Sequence, residues 1–226
     1  MRTEKKQKIF LMVGMLGCIF MGVGDWLMLC ADPTYYGELK WLTIGAANLP
    51  QWRLNLSMFL AFPGIICYGV GLFSVENFIL EDKHKKRYHY LNAFGMTPWL
   101  ALHLYYVMIL SLFSWLNQNG YEENALSICE ALAGQMSWLI IVSELLMIPV
   151  FLYWFYLQIT EKTIYKKYMA FSNVLVLFIV LETVASFLPV SAARLGFVNG
   201  LMSESMLLWF LILLFTGFQN QAKESL

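Results

Sequence analysis

The chain has 226 residues, of which 59% are hydrophobic and 13% charged, and its formal net charge is zero. Soluble domains carry about a quarter charged residues, and a water-soluble fold of this size has no interior large enough for so much apolar surface. Zero net charge also argues against nucleic acid as a partner.

Met1 to Lys8 is basic, and an apolar run from Ile9 to about Cys30 follows. The run is too long for a signal-peptide core and lacks a small-x-small cleavage site. Leu27-Met28-Leu29-Cys30 is a poor lipoprotein site because bulky Leu29 precedes the cysteine. The stretch reads as a retained first helix. About 20 apolar residues cross the hydrocarbon of a bilayer. Spans are expected near 9–30, 53–76, 91–116, 132–157, 168–189 and 197–218. No stretch alternates long enough for a barrel strand. The fold class is therefore all-α: a polytopic membrane protein, one domain over residues 1–226, built as a six transmembrane helix bundle.

Between the first two expected spans, Ala31 to Gln51 makes the longest connection. Its apolar middle, Trp41 to Ala47, is too short to span and reads as an interfacial or re-entrant cap over the outer mouth, ended by Asn48-Leu49-Pro50. The basic run Lys83-His84-Lys85-Lys86-Arg87 lies between the second and third spans. His84 and His89 are read there as solvated surface. The connection 117–124 is polar and acidic. Twelve Lys and Arg fall on one side of the alternation, including Arg2, Lys162, Lys166, Lys167 and Lys223. Three fall on the other: Lys40, Arg53 and Arg194. Positive charge marks the cytoplasmic side, so the N- and C-termini are both expected to be cytoplasmic. The basic loops serve as an orientation signal or, alternatively, bind anionic headgroups.

Ionisable residues lie inside these spans: Asp25, His103, Glu144, Glu182 and Glu204, with Arg53 at the outer end of the second. Such groups at membrane depth are costly and mark functional sites by default. Small residues at helical spacing indicate which way they face. The stripes are Gly14, Cys18, Gly22, Asp25; then Arg53, Ser57, Ala61, Gly64, Tyr68, Gly71; then Gly134, Ser137, Ile141, Glu144; then Glu182 with Ser186; then Gly196, Gly200, Glu204. All six candidates are expected on the bundle side, in its outer half, around a polar cavity floored by Glu144 and His103. The inner half shows no comparable set. Pro63 and Pro149 each free a carbonyl four residues earlier, at Phe59 and Leu145. Asp25 with Arg53 is the expected ion pair, and Arg194 is placed to meet Glu204 or Glu182.

The ligand-binding set is thus Asp25, Arg53, His103, Glu144, Glu182 and Glu204. An acidic cavity of this kind suits a small polar or cationic solute, bound or transported, with Glu144 and His103 placed to couple binding to protons. A lipid- or sterol-modifying enzyme using paired carboxylates is the alternative, so enzyme or not stays open and no catalytic residue is assigned. A structural or regulatory subunit without a site is the third. No metal is expected, because only His103 is at membrane depth. No cofactor is expected either: there is no phosphate loop, HExxH or nucleophile elbow. Membrane lipids are the expected partners, and the oligomeric state is open. Cys30 and Cys129 fall near the same face, which leaves a disulfide open.

Gly22-Val23-Gly24-Asp25, ending the first span, and Pro50-Gln51-Trp52-Arg53, opening the second, resemble a prokaryotic six-span integral membrane family of unknown function. The resemblance brings no activity and assigns no functional residue; the compactness of the chain leads to the expectation of a multi-pass protein in the cell membrane of a bacterium. In size and hydrophobicity the chain also resembles membrane ceramidase-like hydrolases, but it lacks their histidine set.

Overall fold

The computed structural model describes residues 2–224 except 36 and 38, with side chains from 5 to 217. The side chains of Arg2 and Lys223, two of the twelve orienting cations, lie outside that range. Seven α-helices follow in chain order: α1 (Arg2–Leu29), α2 (Ile44–Ala47), α3 (Gln51–Ser74), α4 (Asp82–Gln118), α5 (Glu122–Ile159), α6 (Val174–Ser186) and α7 (Ala192–Glu224). Short 3-10 turns cover Val75–Phe78 and Lys167–Ser172. The described residues contain no strand, only two isolated bridges. The all-α expectation therefore stands.

Among the described residues, five helices are long and apolar enough to cross a membrane: α1, α3, α4, α5 and α7. The expected fifth span, 168–189, is shorter than foreseen, because the 3-10 turn takes its first part and Asn173 starts a new helix of 13 residues. Asn173 is buried. Its Oδ1 accepts from the Leu175 N–H at 2.9 Å and its amide donates to the Phe151 carbonyl at 2.9 Å. A residue that caps a helix and anchors to a neighbour fixes the start of α6 in place. In contrast, α4 and α5 run 37 and 38 residues. That is about 55 Å at 1.5 Å per residue, well beyond a hydrocarbon core. Their ends carry the charged residues that the apolar pattern had left outside the helices.

α1 and α3 form the tightest pair. A Cβ on Gly17 would stand 2.2 Å from the Tyr68 nitrogen, and one on Gly14 would stand 2.6 Å from the Gly71 Cα. Ser57 donates to the Gly24 carbonyl at 3.0 Å. The second stripe read from the sequence is thus the packed face of α3: Ser57, Ala61, Gly64, Tyr68 and Gly71 are all buried. On α1 the closest approaches fall at Gly17, beside the expected stripe, and at Gly14, within it. α7 lies antiparallel to α1. Gly196 meets Cys30, Ser203 faces Gly22, and Phe210 rests on Gly14.

One end of the bundle, here called the basic end, is stapled across its connections. Ile79 bridges Thr163, Glu81 pairs with Lys162, and the Tyr165 hydroxyl donates to the Leu213 carbonyl at 3.1 Å. The loops after α3 and α5 and the late part of α7 therefore share that end. His84 is part-buried there instead of solvated, with Nδ1 2.7 Å from the Tyr153 hydroxyl, while His89 is exposed as expected and meets Glu76 at 2.8 Å. At the opposite end the 31–50 connection folds down as a cap. Thr43 caps α2, Leu42, Ala46, Ala47 and Leu49 are buried, and the Gln118 amide donates to the Ala47 and Leu49 carbonyls. Gly120 turns α4 into α5 with φ 84°, a conformation glycine adopts without a Cβ clash.

Candidate functional site

Under the cap lies a cavity of about 250 Å³, lined by α1, α4, Glu144 of α5, Asn199 of α7 and Trp41 of the cap. Asp25 and His103 form its depth. Each side chain is only 15% exposed, and His103 Nε2 stands 3.5 Å from Asp25 Oδ1. Three aromatic rings supply the walls: Trp41, Trp99 and Tyr106. Trp41 meets Tyr106 edge to face, with ring centroids 5.6 Å apart. Among the described residues, no Lys or Arg lines the cavity.

Glu144 belongs to the rim and not to the floor, since it is exposed where it meets the cavity. The expected stripe Gly134, Ser137, Ile141, Glu144 is also exposed, and a Cβ on Gly134 would meet nothing within 4 Å. α5 instead buries Ala125, Cys129 and Ala133 and, ten residues further on, Ser143, Met147, Val150 and Trp154, with steps of three or four within each group. Both stripes satisfy helical spacing. The one with the Ala and Cys side chains packs on α4, because α5 approaches through Gly95 there: a Cβ on Gly95 would stand 2.5 Å from the Leu146 carbonyl oxygen.

Arg53 and Glu204 lie on the other flank of α1. They line a separate groove of about 680 Å³ together with Trp26, Trp52 and Ser203. The expected Asp25–Arg53 ion pair does not form. The Arg53 guanidinium donates to three backbone carbonyls at the end of α1: Leu27 at 2.7 Å, Cys30 at 3.0 Å and Trp26 at 3.2 Å. The Trp26 carbonyl also accepts from the Cys30 N–H at 3.0 Å. Carbonyls in the last turn of a helix are short of intrahelical donors, and the arginine caps the C-terminal end of α1. Glu204 Oε1 accepts from the Trp26 indole at 3.0 Å, while its Oε2 is buried with no hydrogen-bond partner. Glu182 is exposed on α6 and lines neither cavity. Arg194 pairs with neither Glu204 nor Glu182. It lines a shallow surface depression with Tyr35 and Val190. All four cysteines are free, Cys30 and Cys129 included.

Two residues that line the cavity are not among the candidates the sequence offers. Asn199 carries an amide to the cavity mouth, and its Nδ2 donates to the Leu195 carbonyl at 2.8 Å. Trp41 had been assigned only to a cap. Nor is the basic half purely apolar. Asn92 and Gln158 are fully buried there, and neither amide has a hydrogen-bond partner among the described residues. Tyr88 and Trp154, one helical turn from each, pack with ring centroids 5.7 Å apart and also lack partners for their polar atoms. Among the described residues no three His, Cys, Asp or Glu side chains converge to hold a metal ion.

A bundle of long apolar helices with polar groups set between them defines a multi-pass integral membrane protein. The chain belongs to a family of unknown function, DUF6796, whose model matches residues 1–220. Comparison with curated proteins and with solved structures gives no match.

Proposed function

We propose that this is a six-span protein of a prokaryotic cell membrane, with cytoplasmic termini, that binds or transports a small polar or cationic solute in the cavity beneath its cap. The antiparallel α1–α7 pairing supports six crossings. Between the basic-end contacts of Thr163 and the meeting of Gly196 with Cys30, the chain must travel the length of the bundle. The turn 167–172 and α6 make that passage together. Lysine and arginine at the basic end orient it toward the cytoplasm, so the cavity faces outward.

The observation that carries the solute reading is the partly desolvated Asp25–His103 pair at the bottom of a chamber whose other charged group is Glu144. The pair and Glu144 leave an excess of negative charge with no fixed cation to balance it. Purified protein should gain thermal stability when small polar solutes and cations are screened across pH, by the linkage of binding to unfolding. Glu144→Gln should abolish the gain. An unchanged gain in that variant would remove Glu144 from the site.

A second reading, an enzyme acting on a lipid, draws on the groove on the other flank of α1. Its walls are apolar, Arg53 and Trp52 line it with Trp26, and Glu204 offers a carboxylate with one oxygen unpartnered. Lipid copurifying with wild-type protein and lost from Glu204→Gln would favour it.

A further inference from the structure

We infer that the ligand of the capped cavity is a small organic ammonium ion and not a bare metal cation. The inference rests on the solute reading above and names its substrate class. A metal ion of the Ca²⁺ or Mg²⁺ type needs six or more oxygens converging at 2.0–2.6 Å. This cavity offers Asp25 in its depth, Glu144 and Asn199 at its mouth, and no convergent set of acidic or histidine ligands among the described residues. Its carboxylates are spread around the chamber. An organic ammonium ion needs one carboxylate for its charged group and an apolar wall for its alkyl part, and a point ion needs the full oxygen shell.

The walls point the same way. The faces of Trp and Tyr attract alkylated ammonium groups through their quadrupoles, and most strongly where water is excluded. Trp41, Trp99 and Tyr106 supply three such rings, and Trp41 arrives from the cap connection. Aromatic walls repay the desolvation of the alkyl part of an amine, while a bare Na⁺ or K⁺ gains little from them in exchange for its water shell. Leu102, Val107 and Leu110 complete an apolar surround. Size sets an upper limit. A volume of 250 Å³ corresponds to about eight waters at ~30 Å³ each, so the ligand has roughly that number of heavy atoms. The Asp25–His103 pair leaves Glu144 as the carboxylate without a basic partner in the cavity, and the ammonium group is assigned to it, with the alkyl part toward the rings.

The test is calorimetric titration of the full chain in nanodiscs with four probes: propylammonium chloride, potassium chloride, sodium chloride and 1-propanol. Saturable binding of propylammonium is expected, at least tenfold tighter than either alkali ion, with no binding of the alcohol. Glu144→Gln should weaken it at least tenfold. Trp41→Leu, which leaves every charge in place, should weaken it several-fold. Alkali ions binding as tightly as propylammonium, with Trp41→Leu indifferent, would overturn the ammonium assignment and leave the solute reading standing. Binding of 1-propanol alone would do the same. If no probe binds and no polar solute stabilises the protein, the solute reading falls with it.

Discussion

Gly17 and Gly134 are both helical glycines, and only their neighbours distinguish them. An alanine Cβ at Gly17 would drive into the α3 backbone, while one at Gly134 meets open space. Gly17→Ala should cost about 1–3 kcal/mol, in the range of overpacking. Gly134→Ala should stabilise by about 0.5–1 kcal/mol, the usual gain in a helix interior. Unfolding of the two variants in the same detergent checks both signs. Arg53 gives a second test at this scale. Because it caps backbone carbonyls and does not pair with Asp25, a charge swap of Asp25 and Arg53 should fail to recover the folded yield lost in Arg53→Ala. Recovery would restore the ion pair as its role. The identities of the polar residues were legible in the sequence, but their partners were not. Helical spacing orders residues along one helix and says nothing of whether an arginine reaches a carboxylate or three carbonyls on the next.

At the scale of elements, the staple between the loops after α3 and α5 sets a pH dependence. The hydrogen bond from Lys162 holds the Glu81 carboxyl below its usual range, and the same bond raises the Lys162 ammonium. A depressed carboxylate stabilises the fold above its unfolded pKa, and the contribution is lost as pH falls through the lowered value. A raised lysine stabilises below its unfolded pKa and loses that contribution as pH rises through the higher one. The pair is therefore at full strength from weakly acidic to weakly alkaline pH and fades at both extremes. Both groups are exposed, so the effect is small. Melting temperature against pH should flatten at both ends in Glu81→Gln, and an unchanged acid limb would exclude the pair as its source. Asn173→Ala should cost about 1–2 kcal/mol by removing the α6 cap. Apolar length announced the long helices, but it could not announce this break. Nothing in the hydropathy of 168–189 separates a 3-10 turn from the helix that follows, and the break is set by Asn173 reaching Phe151 on another helix. On α5, two stripes met the same periodicity, and only packing against α4 chose between them.

At the scale of the whole molecule, the class of protein was legible because lipid imposes it. Backbone groups in hydrocarbon are satisfied within helices, so composition and run length lead directly to a helical bundle. The division of the six candidate residues was not legible. Asp25, His103 and Glu144 meet at one cavity, Arg53 and Glu204 lie across α1 from it, and Glu182 stands apart. Depth along each helix placed them at similar levels, but rotation about the helix axes decides which share a space. The α1–α7 contact that closes the bundle has its own test. Gly22 and Ser203 face each other at a Cβ separation of 3.6 Å, inside the range for a disulfide. In a background without the native cysteines, Gly22→Cys with Ser203→Cys should crosslink on mild oxidation.

The chamber proposed beneath the cap is aqueous and opens outward. Its most direct measurement is labelling of single-cysteine variants in intact cells with a small charged thiol reagent that does not cross membranes. Asn199→Cys and Tyr106→Cys, which line the chamber, should react from outside, while Ile179→Cys on the exposed apolar face of α6 should not. Protection of the two chamber positions, or their reaction from the cytoplasmic side alone, would contradict it.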